Sequence, residues 1–281
     1  MASGLPGWEN LGGHPWKIYE HTPLVLALCQ VRFPTRLSVN NPGGAVAAFQ
    51  DAIASEYPET PPSTQNVAQI HILGGETQVP VSPLAPPVVW QFADRKGDWV
   101  VVLTQDFVTL ETRSYNDFAD FLDRLGRVLA ALVETVRPPF CRRIGLRYIN
   151  EIRADHMEWQ RIIRSELLGP VATEPFMSHV VQAAQQLVLR AGEAQINLQH
   201  GVFPSGTTVQ PRPSERVEPA PFYLLDIDVF REASADDELP MDPTQTCTHV
   251  QTFHDTISEI FRWATTEAYV STLGERCHVP R

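Results

Sequence analysis

The chain has 281 residues, 43% hydrophobic and 9% aromatic, which is enough apolar material for a sizeable core and too much for a disordered chain. Its net charge is −11, from 22 Lys and Arg against 33 Asp and Glu. Residues 1–137 carry 9 basic against 14 acidic side chains, and residues 138–281 carry 13 against 19. The acidity is therefore even, and it argues against a general binder of phosphate backbones.

The four cysteines, Cys29, Cys141, Cys247 and Cys277, stand at no zinc or thioredoxin spacing. No basic stretch followed by an apolar run opens the chain, and no apolar run is long enough to span a membrane. These features lead us to expect a cytoplasmic protein with reduced thiols and no membrane partner.

Residues 1–22 are rich in Gly, Pro and Trp without a period, and they read as an irregular lead-in packing through Trp8 and Trp16. The nearly continuous apolar run Leu24–Phe33 predicts a strand covered on both faces. Asn41-Pro42 predicts a helix start, followed by Val46, Phe49, Ile53 and Tyr57 at helical spacing. A meander of short strands is expected next: Val67–Leu73, Val88–Asp94, Trp99–Thr104 and Phe107–Arg113, with turns at Lys96-Gly97-Asp98 and Gln105-Asp106. Ser114 to Asp117 then starts a long amphipathic helix through Phe121, Leu125, Val128 and Leu129, which Pro138-Pro139 ends.

The pattern restarts at the strand Cys141–Arg153. A helix capped by Asp155 follows, carrying Trp159, Ile162, Ile163 and Leu167. Further strands are expected at His179–Arg190, Ala194–Val202 and Phe222–Arg231. A closing helix runs from Thr246 to about Tyr269 through Val250, Phe253, Ile257, Ile260 and Phe261. Cys29–Phe33 lies over Ile144–Tyr148 in this register, and the two long helices align Phe121 and Leu125 with Phe253 and Ile257. We therefore expect an α+β protein of two repeated β-α-β(3-4)-α halves, 23–137 and 138–281, sharing a curved antiparallel sheet. That arrangement resembles TATA-binding-protein-like or helix-grip folds, a likeness of fold alone.

Candidate chemistry is sparse. Arg32 and Arg147 hold equivalent places in the first strands of the two halves, and Arg143 shares a face with Arg147 by the two-residue period of a strand. Three guanidiniums converging on an exposed sheet face would suit a planar carboxylate or phosphate. The plainer alternative pairs each with a nearby carboxylate such as Glu111 or Glu151. Asp226 and Asp228 share a strand face as metal ligands would, but their alternation with Leu225, Ile227 and Val229 reads as polar residues pointing outward. His249 and His254 are five apart, which misses the helical zinc spacing of four. Cys29, inside an apolar strand, reads as inert packing. No phosphate loop or nucleophile elbow is present, so no metal or cofactor is expected and no catalytic residue is assigned.

The segments Pro23–Phe33 and Arg143-Ile144-Gly145-Leu146-Arg147-Tyr148-Ile149-Asn150 resemble a sporadically distributed family of uncharacterised bacterial proteins. Trp90-Gln91-Phe92, the run Trp99–Thr112 and Phe253–Thr266 look like its other shared blocks. The patchy occurrence implied by that resemblance suits an accessory component, of the defence or toxin–antitoxin kind. The leading expectation is a non-enzymatic binding or scaffold protein that recognises a protein partner in the bacterial cytosol. The alternative is a ligand- or nucleic-acid-binding module using the sheet face with Arg32, Arg143 and Arg147.

Overall fold

The computed structural model describes residues 18–61, 88–154, 159–208 and 220–276. In chain order the elements are β1 (Ile18–Tyr19), β2 (Leu24–Arg32), α1 (Ala45–Ile53), β3 (Trp90–Ala93), β4 (Trp99–Leu103), β5 (Phe107–Thr112), α2 (Phe118–Thr135), β6 (Phe140–Cys141) and β7 (Arg143–Arg153). Then follow α3 (Trp159–Ile162), α4 (Ser165–Leu168), β8 (Ala183–Ala191), β9 (Ala194–Phe203), β10 (Phe222–Glu232), β11 (Leu239–Pro240), α5 (Pro243–Ala264), α6 (Glu267–Thr272) and β12 (Glu275–Arg276). The protein is α+β, built on an antiparallel sheet of eight strands in the order β3-β4-β5-β2-β7-β10-β9-β8. β1 pairs with β12, and β6 with β11, outside it. Among the described residues no helix is long and apolar enough to cross a membrane. The chain sorts into two compact units, one of residues 28–145 and 231–250, the other of 1–27, 146–230 and 251–281.

In the first unit the sheet residues Phe92, Trp99, Val101, Leu103 and Leu110 are buried. Phe92 meets Phe49 of α1, and Trp99 meets Phe121 of α2. The turn from β3 to β4 is set by Asp94, whose Oδ1 accepts from the backbone N–H of Asp98 and of Trp99, while Gly97 takes a φ of 72° that other residues rarely adopt. Asp117 caps α2 by accepting from the N–H of Asp120, worth about 1 kcal/mol. Glu56, just beyond α1, takes both Nε and Nη2 of Arg127 and so clips α1 to α2.

In the second unit β8 and β9 form a hairpin whose two-residue turn, Gly192-Glu193, joins the paired Ala191 and Ala194. Gly192 has φ 59° and Glu193 does not share the positive sign, the type II′ pattern that wants glycine first. Gly201 on β9 has φ 150°, and a Cβ there would lie 1.9 Å from the Ala183 carbonyl oxygen, so only glycine fits. Phe253, Ile257 and Ile260 of α5 are buried, as their spacing predicts.

Some boundaries differ from the expectation. α1 begins at Ala45, with Gly44 at its N-cap and no side chain capping it, so the Asn41-Pro42 signal lies before the helix. The expected single closing helix is two. Thr265 bridges Ile163 as an isolated β pair, and the Thr266 hydroxyl accepts from the N–H of Tyr269 to start α6 afresh. The strand expected from His179 begins at Ala183. The expected strand Val67–Leu73, the Asp155 cap and the packing of Trp8 and Trp16 lie outside the described residues.

The buried face of α5 generates a stability prediction. Phe253 is 1% exposed, so Phe253→Ala removes a packed ring and should cost about 3–5 kcal/mol in urea unfolding. A loss under about 1 kcal/mol is the outcome for a surface position and would contradict this packing.

Candidate functional site

Arg147 does not stand clear of the core. Its Nε lies 2.8 Å from Oδ1 of Asp226 on β10 and its Nη2 lies 2.5 Å from Oδ2, a two-pronged pair. The Asp226 side chain is 2% exposed and that of Arg147 18%. Two expectations are corrected here: Asp226 points into a buried setting, and Arg147 is not an exposed donor awaiting a ligand. The physical reason is mutual. Each charge alternates with apolar neighbours as a solvent-facing residue would, and pairing with the adjacent strand is what makes burial tolerable. Burial pushes the Asp226 carboxyl up while Arg147 pulls it back. Burial opposes the charge on Arg147, and the Asp226 hydrogen bond with the charges of Asp226 and Asp228 outweighs that, holding the guanidinium above its ordinary value.

The other two arginines belong to the first unit. Arg32, exposed at the end of β2, donates through Nε to Gln30 Oε1 at 3.0 Å. Arg143 lays its guanidinium over Gly145, where a Cβ would meet Nη1 at 2.6 Å. Glu151, one of the carboxylates expected to pair with an arginine of this face, is buried, pairs with Arg153 and accepts from the Thr208 hydroxyl at 2.6 Å. Arg153 also donates to the carbonyls of Ala220 and Thr207 and stacks on Phe222. An open cleft of about 550 Å³ is lined by Arg153, Arg161, Tyr269 and Thr272, and both Nη groups of Arg153 already donate to Glu151, Ala220 and Thr207.

Among the helix-packed groups of the second unit, two histidine–tyrosine pairs were not legible in the sequence. Tyr148 Oη lies 2.9 Å from Nδ1 of His254, and Tyr223 Oη lies 2.7 Å from Nδ1 of His200. All four are buried. Burial lowers both histidines, His254 to about 3, and raises Tyr223 well above its usual value. Burial favours the neutral form of both imidazoles, and each faces a tyrosine hydroxyl across a hydrogen bond. They are the polar content of a core. Cys29 and Cys141 are buried as well, and burial pushes the Cys141 thiol up to about 12. No group of three or more His, Cys, Asp or Glu that could hold a metal ion occurs among the described residues.

What the second unit does present is a strand edge. β8 is the terminal strand of the sheet order and is nine residues long. Gln185 to Val188 are all exposed, Val188 at 65%, and Val181 just before the strand is 71% exposed. Because Ala191 and Ala194 flank a two-residue turn they exchange both backbone hydrogen bonds, and the ladder then alternates. Odd residues of β8 bond to β9. Ala184, Gln186, Val188 and Arg190 turn their N–H and C=O groups outward. The opposite terminal strand, β3, has four residues, and the backbone of Glu59 both donates to and accepts from Ala93 on it. That edge is short and bridged. β8 has one charge, Arg190, and no proline, and among the described residues no bridge lies on its outer side, so the devices that blunt natural edges are absent there.

No protein-family model matches the chain, and no curated protein is similar enough to match it.

Two predictions follow from the buried groups. Arg147→Ala leaves the Asp226 carboxylate buried and unpaired, which should cost about 3–5 kcal/mol, whereas Arg147→Met with Asp226→Leu should recover most of it; chemical denaturation of the single and double variants separates a buried pair from a surface arginine. The second concerns pH. His254 is depressed in the fold, so its stability contribution is full above about pH 6.5 and is lost as pH falls toward 3. Between pH 7 and 5 the wild-type chain should lose about 2 kcal/mol more than His254→Gln does, and parallel curves would contradict the burial.

Proposed function

We propose that this chain is a non-enzymatic binding protein, and that it takes an extended segment of a protein partner onto the outer edge of β8. The single observation carrying this reading is the unblunted edge: nine residues, four of them turning backbone donors and acceptors outward, with Val188 exposed among them. Strand addition uses such groups for affinity and alternate side chains for specificity. The alternative, a ligand or nucleic-acid surface formed by Arg32, Arg143 and Arg147, has less support because both prongs of Arg147 are spent on Asp226.

The related architectural proposal is that residues 23–137 and 138–281 descend from a duplication, in a TATA-binding-protein-like or helix-grip manner. The sheet order favours it, since β2 leads outward through β5 and β4 to β3 as β7 leads outward through β10 and β9 to β8. A cytosolic accessory role remains part of the same proposal, resting on the resemblance of the Arg143–Asn150 string.

A photocrosslinking residue at Val188 in the native host should give covalent adducts with protein, while one at Asp123, on α2, should not. Val188→Lys should abolish capture with a change in unfolding free energy within about 0.5 kcal/mol, as for a surface substitution. Absence of any protein adduct from Val188 would overturn the reading.

A further inference from the structure

We propose that the first unit carries a site for a compact polyanion, a small ligand with two or more linked phosphoryl groups, held by Arg32, Arg36, Arg137 and Arg142. The site belongs to the other unit from β8 and does not depend on the edge-docking reading. Arg142 donates its backbone N–H to the Arg32 carbonyl at 2.7 Å, which sets the two residues opposite each other where β2 ends and β7 is about to begin. Like charges directly opposed across two strands are destabilising. Arg36 and Arg137 meet at the last turn of α2, where Arg36 Nε donates to the Val136 carbonyl at 3.3 Å and Arg137 Nε to the Glu134 carbonyl at 3.1 Å. Short stretches of chain join the two pairs. Arg36 follows Arg32 by four residues, at most about 14 Å of extended chain, and Arg142 follows Arg137 by five, at most about 18 Å.

Among the described residues no carboxylate answers these four charges. Arg124, Arg127, Arg147 and Arg153 each hold one, whereas Arg32 donates only to Gln30 Oε1. Asp106, beside Phe33, takes the Thr104 hydroxyl at 2.9 Å, and Asp237 takes Arg231. Glu134 and Glu232 form no ion pair among the described residues. Arg32, Arg137 and Arg142 are exposed. Arg137 is also the one described residue other than glycine with a positive φ, 52°, in the place after a helix that glycine or asparagine usually fills. A positive charge suits a helix C-terminus, but that end amounts to about half a charge, and two guanidiniums exceed it. Guanidinium forks match phosphoryl oxygens, and two separate pairs call for linked phosphoryl groups. A compact ligand fits better than a nucleic-acid strand. The rest of the chain is more acidic than the whole, at −11, so a strand leaving the patch would lie against repelling surface.

The test uses the full chain and inorganic tripolyphosphate, titrated calorimetrically at low ionic strength in buffer free of other phosphate. Tripolyphosphate should bind about tenfold or more tighter than orthophosphate, and its binding should weaken as salt is raised. Arg137→Gly removes the charge and relieves the positive φ, so its Tm should hold or rise while affinity falls about tenfold or more. Arg32→Gln with Arg142→Gln should abolish binding and, without ligand, should leave the Tm unlowered, because it removes two opposed like charges. Arg95→Gln, exposed on the turn from β3 to β4, should keep the wild-type affinity. The inference is overturned by a wild-type chain that binds no tripolyphosphate, or by Arg137→Gly and the double variant binding it as the wild type does. An equal loss in Arg95→Gln, or tighter binding of a single-stranded oligonucleotide than of tripolyphosphate, overturns it too. Crosslinking from Val188 is read separately, so either site can fail without the other.

Discussion

The second unit depends on one constraint: a carboxylate and a guanidinium cannot be buried separately. Asp226 and Arg147 meet this by facing each other from β10 and β7 with two hydrogen bonds. Their pairing fixes how those strands are offset, because a slip of one residue would turn either charge to the opposite face. Asn150 supports the same offset, its side-chain amide donating to the Leu225 carbonyl at 3.0 Å. With that register set, Tyr148 reaches His254 on one side of β7, and Tyr223 reaches His200 on β9. The position of β9 then sets β8, so the exposed edge follows from a pair of charges two strands away.

The polar interior of this unit specifies arrangement more than it supplies stability. Buried ion pairs contribute little net free energy against apolar replacements of the same volume, while a broken pair costs several kcal/mol. The His–Tyr pairs work the same way, each tyrosine hydroxyl facing a neutral imidazole nitrogen. Such groups penalise misregistered packings. In the first unit the equivalent work falls to partly exposed charges, where Glu56 and Asp123 hold Arg127 between α1 and α2, a contribution that salt would weaken.

Much of the fold was legible because period and punctuation carry it. The apolar spacing of α2 and the hairpin at Gln105-Asp106 have local causes, whereas the capping-box start expected from Ser114 lies three residues too early, since Asp117 itself is the N-cap. The failures have nonlocal ones. Asp226 alternates with Leu225 and Ile227 as an outward residue would, and nothing along β10 reveals that Arg147 waits on the next strand. Thr265 sits within a good helical pattern, but its pairing with Ile163, some hundred residues earlier in the chain, breaks the helix. The edge was invisible for a similar reason. The run Gln185 to Leu189 reads as an ordinary strand, and only the sheet order shows that, among the described residues, one side of it has no neighbour.

The unequal ends of the sheet bear on how far any assembly could grow. An open sheet that offers pairing groups at both ends can in principle propagate, copy upon copy, into a fibre. Here Glu59 already occupies part of β3 through its backbone bonds to Ala93, and that strand is only four residues long. The outer side of β8, nine residues long, meets no strand among the described residues. The Glu59 bridge leaves fewer backbone groups of β3 open to a further strand, so the two terminal strands are unequal as templates for strand pairing.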